Sequence, residues 1–154
     1  MNLAATHTTS RTILATPRAI FRTLLDPETI PSWRPPRGMA GRIEQFDPRP
    51  GGAYRMIFQY PHDDAARDKC ASGAVIIDGQ FIEILPDERL VEVVRFDTDD
   101  CRFQGAITVT TMLEPVKDGT KVTLSAQDVP PGLGEADHRA GMDAMLKNLA
   151  NFVE

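Results

Sequence analysis

The chain has 154 residues, 42% hydrophobic and 25% charged, enough to build a core without metal or disulfide staples and ordinary for a soluble globular protein. Its net charge of −5 argues against a general nucleic-acid or anionic-membrane surface, and no apolar run reaches membrane-spanning length. Met1 to Ser10 has neither a basic start nor an apolar middle, so no secretory signal is expected, and Cys70 and Cys101 read as free thiols of a reducing cytoplasm.

Thr6 to Leu14 alternates loosely and reads as a first strand. Thr16-Pro17 offers a helix cap followed by proline at the first helical position, and Ile20, Phe21, Leu24 and Leu25 then supply a short stripe. Asp26-Pro27-Glu28 predicts a second short helix ending near Trp33, and Arg34-Pro35-Pro36-Arg37-Gly38 stops it. Gly41–Phe46 is weakly strand-like and precedes a turn over 47–52. Tyr54, Met56, Phe58 and Tyr60 alternate with Arg55, Ile57 and Gln59, the period of a half-buried strand. Residues 61–73 form a long polar loop, and further strands are expected over Ala74–Leu85, Leu90–Asp97, Phe103–Glu114 and Lys121–Asp128. Their connections are turns at 86–89, at Asp97–Asp100 and at Asp118-Gly119, so the strands are antiparallel.

The last stretch organises the rest. Met142, Met145, Leu146, Leu149, Phe152 and Val153 recur at three- and four-residue steps, while Glu135, Arg139, Asp143 and Lys147 occupy the other face. Pro130, Pro131, Gly132 and Gly134 break the chain just before this helix. A long amphipathic helix after a run of antiparallel strands buries its stripe across the sheet. The class is α+β, and with no repeat, low-complexity tract or linker, residues 1–154 read as one domain.

Several motifs then point to a family. Asp26-Pro-Glu-x-Ile-x-x-Trp33 resembles the segment after the first strand in the SRPBCC (START and birch-pollen-allergen-like) superfamily. Gly51-Gly-Ala-Tyr-Arg55, Gly79-x-Phe-x-Glu-Ile-x-Pro-x-x-Arg-Leu90 and His138-x-x-Gly-Met-x-x-Met-Leu-x-x-Leu149 resemble the branch named for activator of heat-shock protein 90 ATPase homologues. Members often carry tryptophan after the helix glycine, where this chain has Met142; the helical stripe survives the change. The resemblance implies a helix-grip fold, a curved antiparallel sheet of about six or seven strands wrapped around the C-terminal helix and a cavity. It does not imply one function, since members bind lipids, hormones and polyketides and some are cyclases or hydrolases. The eukaryotic chaperone activators carry an additional N-terminal domain, for which this chain has no room.

The residues expected to line such a cavity are Trp33, Tyr54, Met56, Phe58, Phe81, Phe96, Phe103, Met142, Met145 and Leu149, an adaptable wall of aromatic rings and methionine that equally describes a filled core. Trp33 and Tyr54 are expected to offer the polar atoms. His138 is either an imidazole at the cavity mouth, as hydrogen-bond donor or general base, or an exposed histidine at a helix start. Arg55 alternates away from Tyr54 and is expected on the outer face, pairing with Glu83. His62-Asp63-Asp64 lacks partner ligands for a metal, Cys70 near His62 lacks an orienting group, and the turn over 47–52 opens no helix, so neither metal, nucleophile nor phosphate cradle is expected.

The leading expectation is a cytoplasmic protein without a cofactor that holds a small apolar or amphipathic molecule between helix and sheet. Two alternatives stand beside it. One is a polyketide cyclase- or hydrolase-like enzyme using His138 or Tyr54 as acid or base. The other is an interaction module that meets a chaperone or other protein partner through the outer face of the sheet. Homodimerisation is compatible with all three; nucleic-acid binding and membrane insertion are not expected.

Overall fold

The computed structural model of the chain describes residues 5–36, 38–59, 74–98 and 101–154. The expected loop over 61–73, with His62, Asp63, Asp64 and Cys70, lies outside the described residues, as do Tyr60 and part of the turn at 97–100. The elements in chain order are β1 (Ala5–Ile13), α1 (Pro17–Leu24), α2 (Ile30–Trp33), β2 (Ala40–Phe46), β3 (Ala53–Gln59), β4 (Ala74–Leu85), β5 (Arg89–Phe96), β6 (Ile107–Val116), β7 (Gly119–Val129) and α3 (Glu135–Val153).

Local chemistry accounts for most boundaries. Thr16 Oγ1 accepts from the Ala19 amide at 3.1 Å with Pro17 in the first turn, and α1 buries Ile20, Phe21 and Leu24. The second helix is shorter than its sequence predicts. Asp26 Oδ1 accepts from the Glu28 amide, closing a side-chain turn, so helix starts only at Ile30. Asp87 (φ 65°) and Asp118 (φ 66°) take left-handed conformations in the β4–β5 and β6–β7 turns, which aspartate tolerates better than most residues. The strand expected from Phe103 begins instead at Ile107. Cys101–Phe103 forms a single 3-10 turn, and Gly105 with φ 129° separates it from the strand.

All seven strands form one antiparallel sheet in the order β1-β7-β6-β5-β4-β3-β2. Each strand pairs with its neighbour in sequence, except that α1 and α2 carry the chain from β1 at one edge to β2 at the other, and β1 pairs with β7. The helix α3 lies along β1 and against α1 and α2. This is the helix-grip arrangement: a curved sheet closed around a C-terminal helix.

Alternation decides what the sheet turns inward. Leu90 and Val94 of β5, Ile107 and Leu113 of β6, Val122, Leu124 and Ala126 of β7, and Tyr54, Met56 and Phe58 of β3 are all buried in one core. Against them α3 buries Met142, Leu146, Leu149 and Ala150, with Met145 and Val153 half-buried. Phe152, expected on that stripe, is instead 44% exposed; Ala150 takes the inward place one turn after Leu146. Arg55 does lie on the outer face, yet it pairs with Asp78, Asp97 and Glu44, while Glu83 pairs with Arg89. The register explains the exchange, since Arg55 stands opposite Asp78, and Glu83 sits next to the β4–β5 turn near Arg89.

Candidate functional site

Between α3 and the sheet, Leu24, Trp33, Arg34, Leu90, Glu92, Val109, Thr111, Leu124, Met145, Leu146 and Leu149 surround an interior cavity. Its free volume is about 20 Å3, the room of about one water molecule. A larger void of about 420 Å3 lies along Gly41–Phe46 and Pro27, but it is an open groove on the sheet's edge. The interior cavity is the more enclosed of the two, and two opposite charges and one threonine stand in its largely apolar wall.

Those charges come from elements that position them by ordinary rules. Glu92 shares its face of β5 with Leu90 and Val94 and is therefore carried inward, 4% exposed. Arg34 is the residue that follows α2; the residue as a whole is partly exposed, but its guanidinium is enclosed by protein. Tyr54 is 1% exposed, its Oη donating to Glu92 Oε1 at 2.7 Å, with the Arg34 guanidinium close enough to act on the phenol. Burial first, then the negative charge of Glu92, pushes the Tyr54 phenol well above its ordinary value, against the opposing pull of Arg34. For Arg34 burial works downward, yet Tyr54 and Glu92 outweigh it and hold the guanidinium's pKa above its ordinary value. The phenol thus stays protonated against a carboxylate, with a cation close by.

The ring of Tyr54 is fixed from three sides. It contacts Phe81 at 5.1 Å and Phe46 at 6.2 Å between centroids, Phe46 and Phe81 pack edge to face, and its cross-strand partner is Gly79. A Cβ at Gly79 would run into the phenol ring, so the glycine leaves the space the ring occupies.

Of the residues expected from sequence to line a cavity, Trp33, Met145 and Leu149 do so. Met56, Phe58, Phe81 and Met142 are buried in the surrounding core, and Phe96 is half-buried at the end of β5. Phe103 is half-exposed in the 3-10 turn, with the Arg102 guanidinium 5.5 Å from its ring centroid, and packs outside the core cluster. The polar atoms expected to face a ligand are bonded within the protein: Trp33 Nε1 donates to Thr29 Oγ1 at 3.3 Å, and the Tyr54 hydroxyl is held by Glu92. His138 is half-buried, and its Nδ1 lies 2.7 Å from Nδ1 of buried His7 on β1, so that nitrogen is engaged within the protein.

The comparisons agree with this architecture. Residues 14–154 match the family described as Activator of Hsp90 ATPase homolog 1-like protein. The chain belongs to that family. A crystal structure of a protein from Chromobacterium violaceum is 29% identical, with a TM-score of 0.85 over 97% of this chain and 96% of that one. One from Rhizobium loti is also 29% identical, with a TM-score of 0.73 over the same shares. A solution structure from Arthrobacter aurescens, at 16% identity, shares the fold with a TM-score of 0.80, over 97% of this chain and 86% of that one. No curated protein matches the chain.

In this member of the Activator of Hsp90 ATPase homolog 1-like family, Arg34 and Glu92 are not among the candidates that sequence pattern brings forward. Glu92 had a signal, the strict alternation Leu90, Glu92, Val94, which places a carboxylate on an apolar face. Arg34 had none, because it lies in a segment that reads only as a helix stop.

Proposed function

We propose that this protein binds a small, mostly apolar molecule between α3 and the sheet. The observation that carries the reading is the composition of the interior wall: aliphatic and aromatic side chains around one cation, one carboxylate and one threonine, with Tyr54 donating to the carboxylate. Burial of apolar ligand surface would supply affinity at about 25 cal/mol per Å2. The polar groups would fix orientation. Tyr54 supports a binding role over a proton-accepting one, since a phenol held well above its ordinary value stays a hydroxyl at neutral pH. The family likeness supports the same reading through the shared helix-grip fold.

Native mass spectrometry tests it. The purified protein is mixed in turn with eight-carbon alcohols, ethers, amides and acids, and adducts are sought that vanish on denaturation. At least one class is expected to give a one-to-one adduct, and Val109→Phe, which places a ring in the cavity wall, to suppress it while circular dichroism stays unchanged. Absence of every adduct, or an adduct indifferent to Val109→Phe, would overturn the reading.

A further inference from the structure

The polar end of the cavity has a charge pattern that narrows the ligand class. Arg34 can only donate hydrogen bonds, and Glu92 as a carboxylate can only accept them. Arg34 and Glu92 are both in the wall of the same cavity. Glu92 accepts from the Tyr54 hydroxyl at 2.7 Å, the Arg34 guanidinium is enclosed close enough to act on both, and the space they border has the room of about one water, so a group bound there is within reach of each. A group bound there meets one donor and one acceptor at short range, in surroundings whose formal charges cancel.

From this geometry we propose that the cavity selects a neutral headgroup offering a hydrogen-bond acceptor and a donor side by side, the carboxamide being its simplest form, over a carboxylate of the same size. This specificity rests on the binding role proposed above and deepens it. A carbonyl oxygen accepts from Arg34 while the amide N–H donates to Glu92, and neither partner is left unpaired. The two amide atoms are close enough together to bridge two groups that border a cavity of this size. A carboxylate satisfies Arg34 alone. It has no proton to give Glu92, meets that residue's charge at comparable range, and brings an uncompensated negative charge into a dry site. An ether satisfies Arg34 without repulsion but leaves Glu92 unserved. Thr111, whose hydroxyl donates or accepts, discriminates against none of them. The apolar side chains around the polar end, Leu90, Leu124, Leu146 and Leu149 among them, take the hydrocarbon tail.

Trp33 is the chain's single tryptophan and lines this cavity, so its emission reports occupancy directly. The experiment titrates octanamide, sodium octanoate and 1-methoxyheptane into the full-length protein at about pH 7.5, where octanoate is ionised, following Trp33 fluorescence and heat of binding. Octanamide is expected to bind about tenfold tighter than either of the others. In Glu92→Gln the site loses its carboxylate and acquires a net positive charge, so octanoate should gain on octanamide and the order reverse. Octanoate binding as tightly as octanamide to the wild type overturns the neutral-headgroup inference while leaving cavity binding intact, as does an order unchanged in folded Glu92→Gln. If Glu92→Gln fails to fold, the wild-type order alone decides. Silence of all three probes overturns the inference, and the adduct experiment then decides separately whether cavity binding falls with it.

Discussion

At the scale of single residues, the site depends on a pairing between the largest and smallest members of adjacent strands. Tyr54 reaches Glu92 only because its ring can lie over Gly79, where a Cβ would collide with it. Gly79→Ala should therefore act through the phenol. Overpacking of this kind costs about 1–3 kcal/mol, and a displaced hydroxyl leaves Glu92 short of a partner. Urea denaturation of Gly79→Ala, of Tyr54→Leu and of the double variant tests the route. Once the ring is gone the alanine has nothing to strike, so the double variant should lose less than the sum of the single losses. Strict additivity would show that Gly79 acts on something other than Tyr54. The glycine and the tyrosine each stand in a motif visible in the sequence, but their contact depends on register, which neither motif states.

Between elements, the join of β1 and α3 is polar at one end. Buried His7 and half-buried His138 face each other through Nδ1 at 2.7 Å, and Thr9 donates to Asp143 further along the same join. One proton between the two nitrogens makes a hydrogen bond; a second proton on the facing nitrogens sets two donors against one another and adds a positive charge. Burial, and after it the charge of His7, hold His138 below its ordinary value of 6.5. The position of His138 near the N-terminal end of α3 works in the same direction, because the helix dipole disfavours a cation there. The unfolded chain thus takes up this proton at a higher pH than the folded one. The sign follows: stability is complete above about pH 6.5 and declines as pH falls from there towards the folded-state value. In His138→Gln the side-chain oxygen can still accept from His7 but does not titrate. The wild type should lose urea resistance relative to His138→Gln between about pH 7 and pH 5, measured as the difference in unfolding midpoints. A difference that stays flat across that range would rule out the histidine pair as a source of acid sensitivity. The helix itself was legible in the three- and four-residue spacing from Met142 to Leu149. The partner of His138 was not, because residues 7 and 138 meet only after the sheet has formed.

Across the whole molecule, what local pattern shows and what it hides divide along sequence distance. Alternation and turn residues foretold the strands, and most directly the hairpins β2–β3, β4–β5 and β6–β7, because each of those pairs is closed by a few residues. The pairing of β1 with β7, Ala5 against Val129, has no local signature, and neither does the passage of α1 and α2 from one edge of the sheet to the other. Cavity size is hidden more deeply still, since residues of α1, α2, α3 and three strands must pack before it exists. At about 20 Å3 the resting cavity is far smaller than an eight-carbon ligand, so binding requires α3 or α2 to give way before the ligand is fully enclosed. Opening then limits association. In stopped-flow Trp33 fluorescence the observed rate for octanamide should rise with ligand concentration and level off, as expected when a conformational change accompanies binding. Leu149→Ala removes part of the wall from the α3 side. It should cost about 2–5 kcal/mol of stability, yet bind octanamide faster and more tightly, because the ligand occupies space the protein no longer has to create. Stability and affinity moving in opposite directions in one variant would identify the closed core as the barrier to binding. A rate that stays linear in ligand for the wild type and is unchanged by Leu149→Ala would instead mean that octanamide is captured without entering the interior.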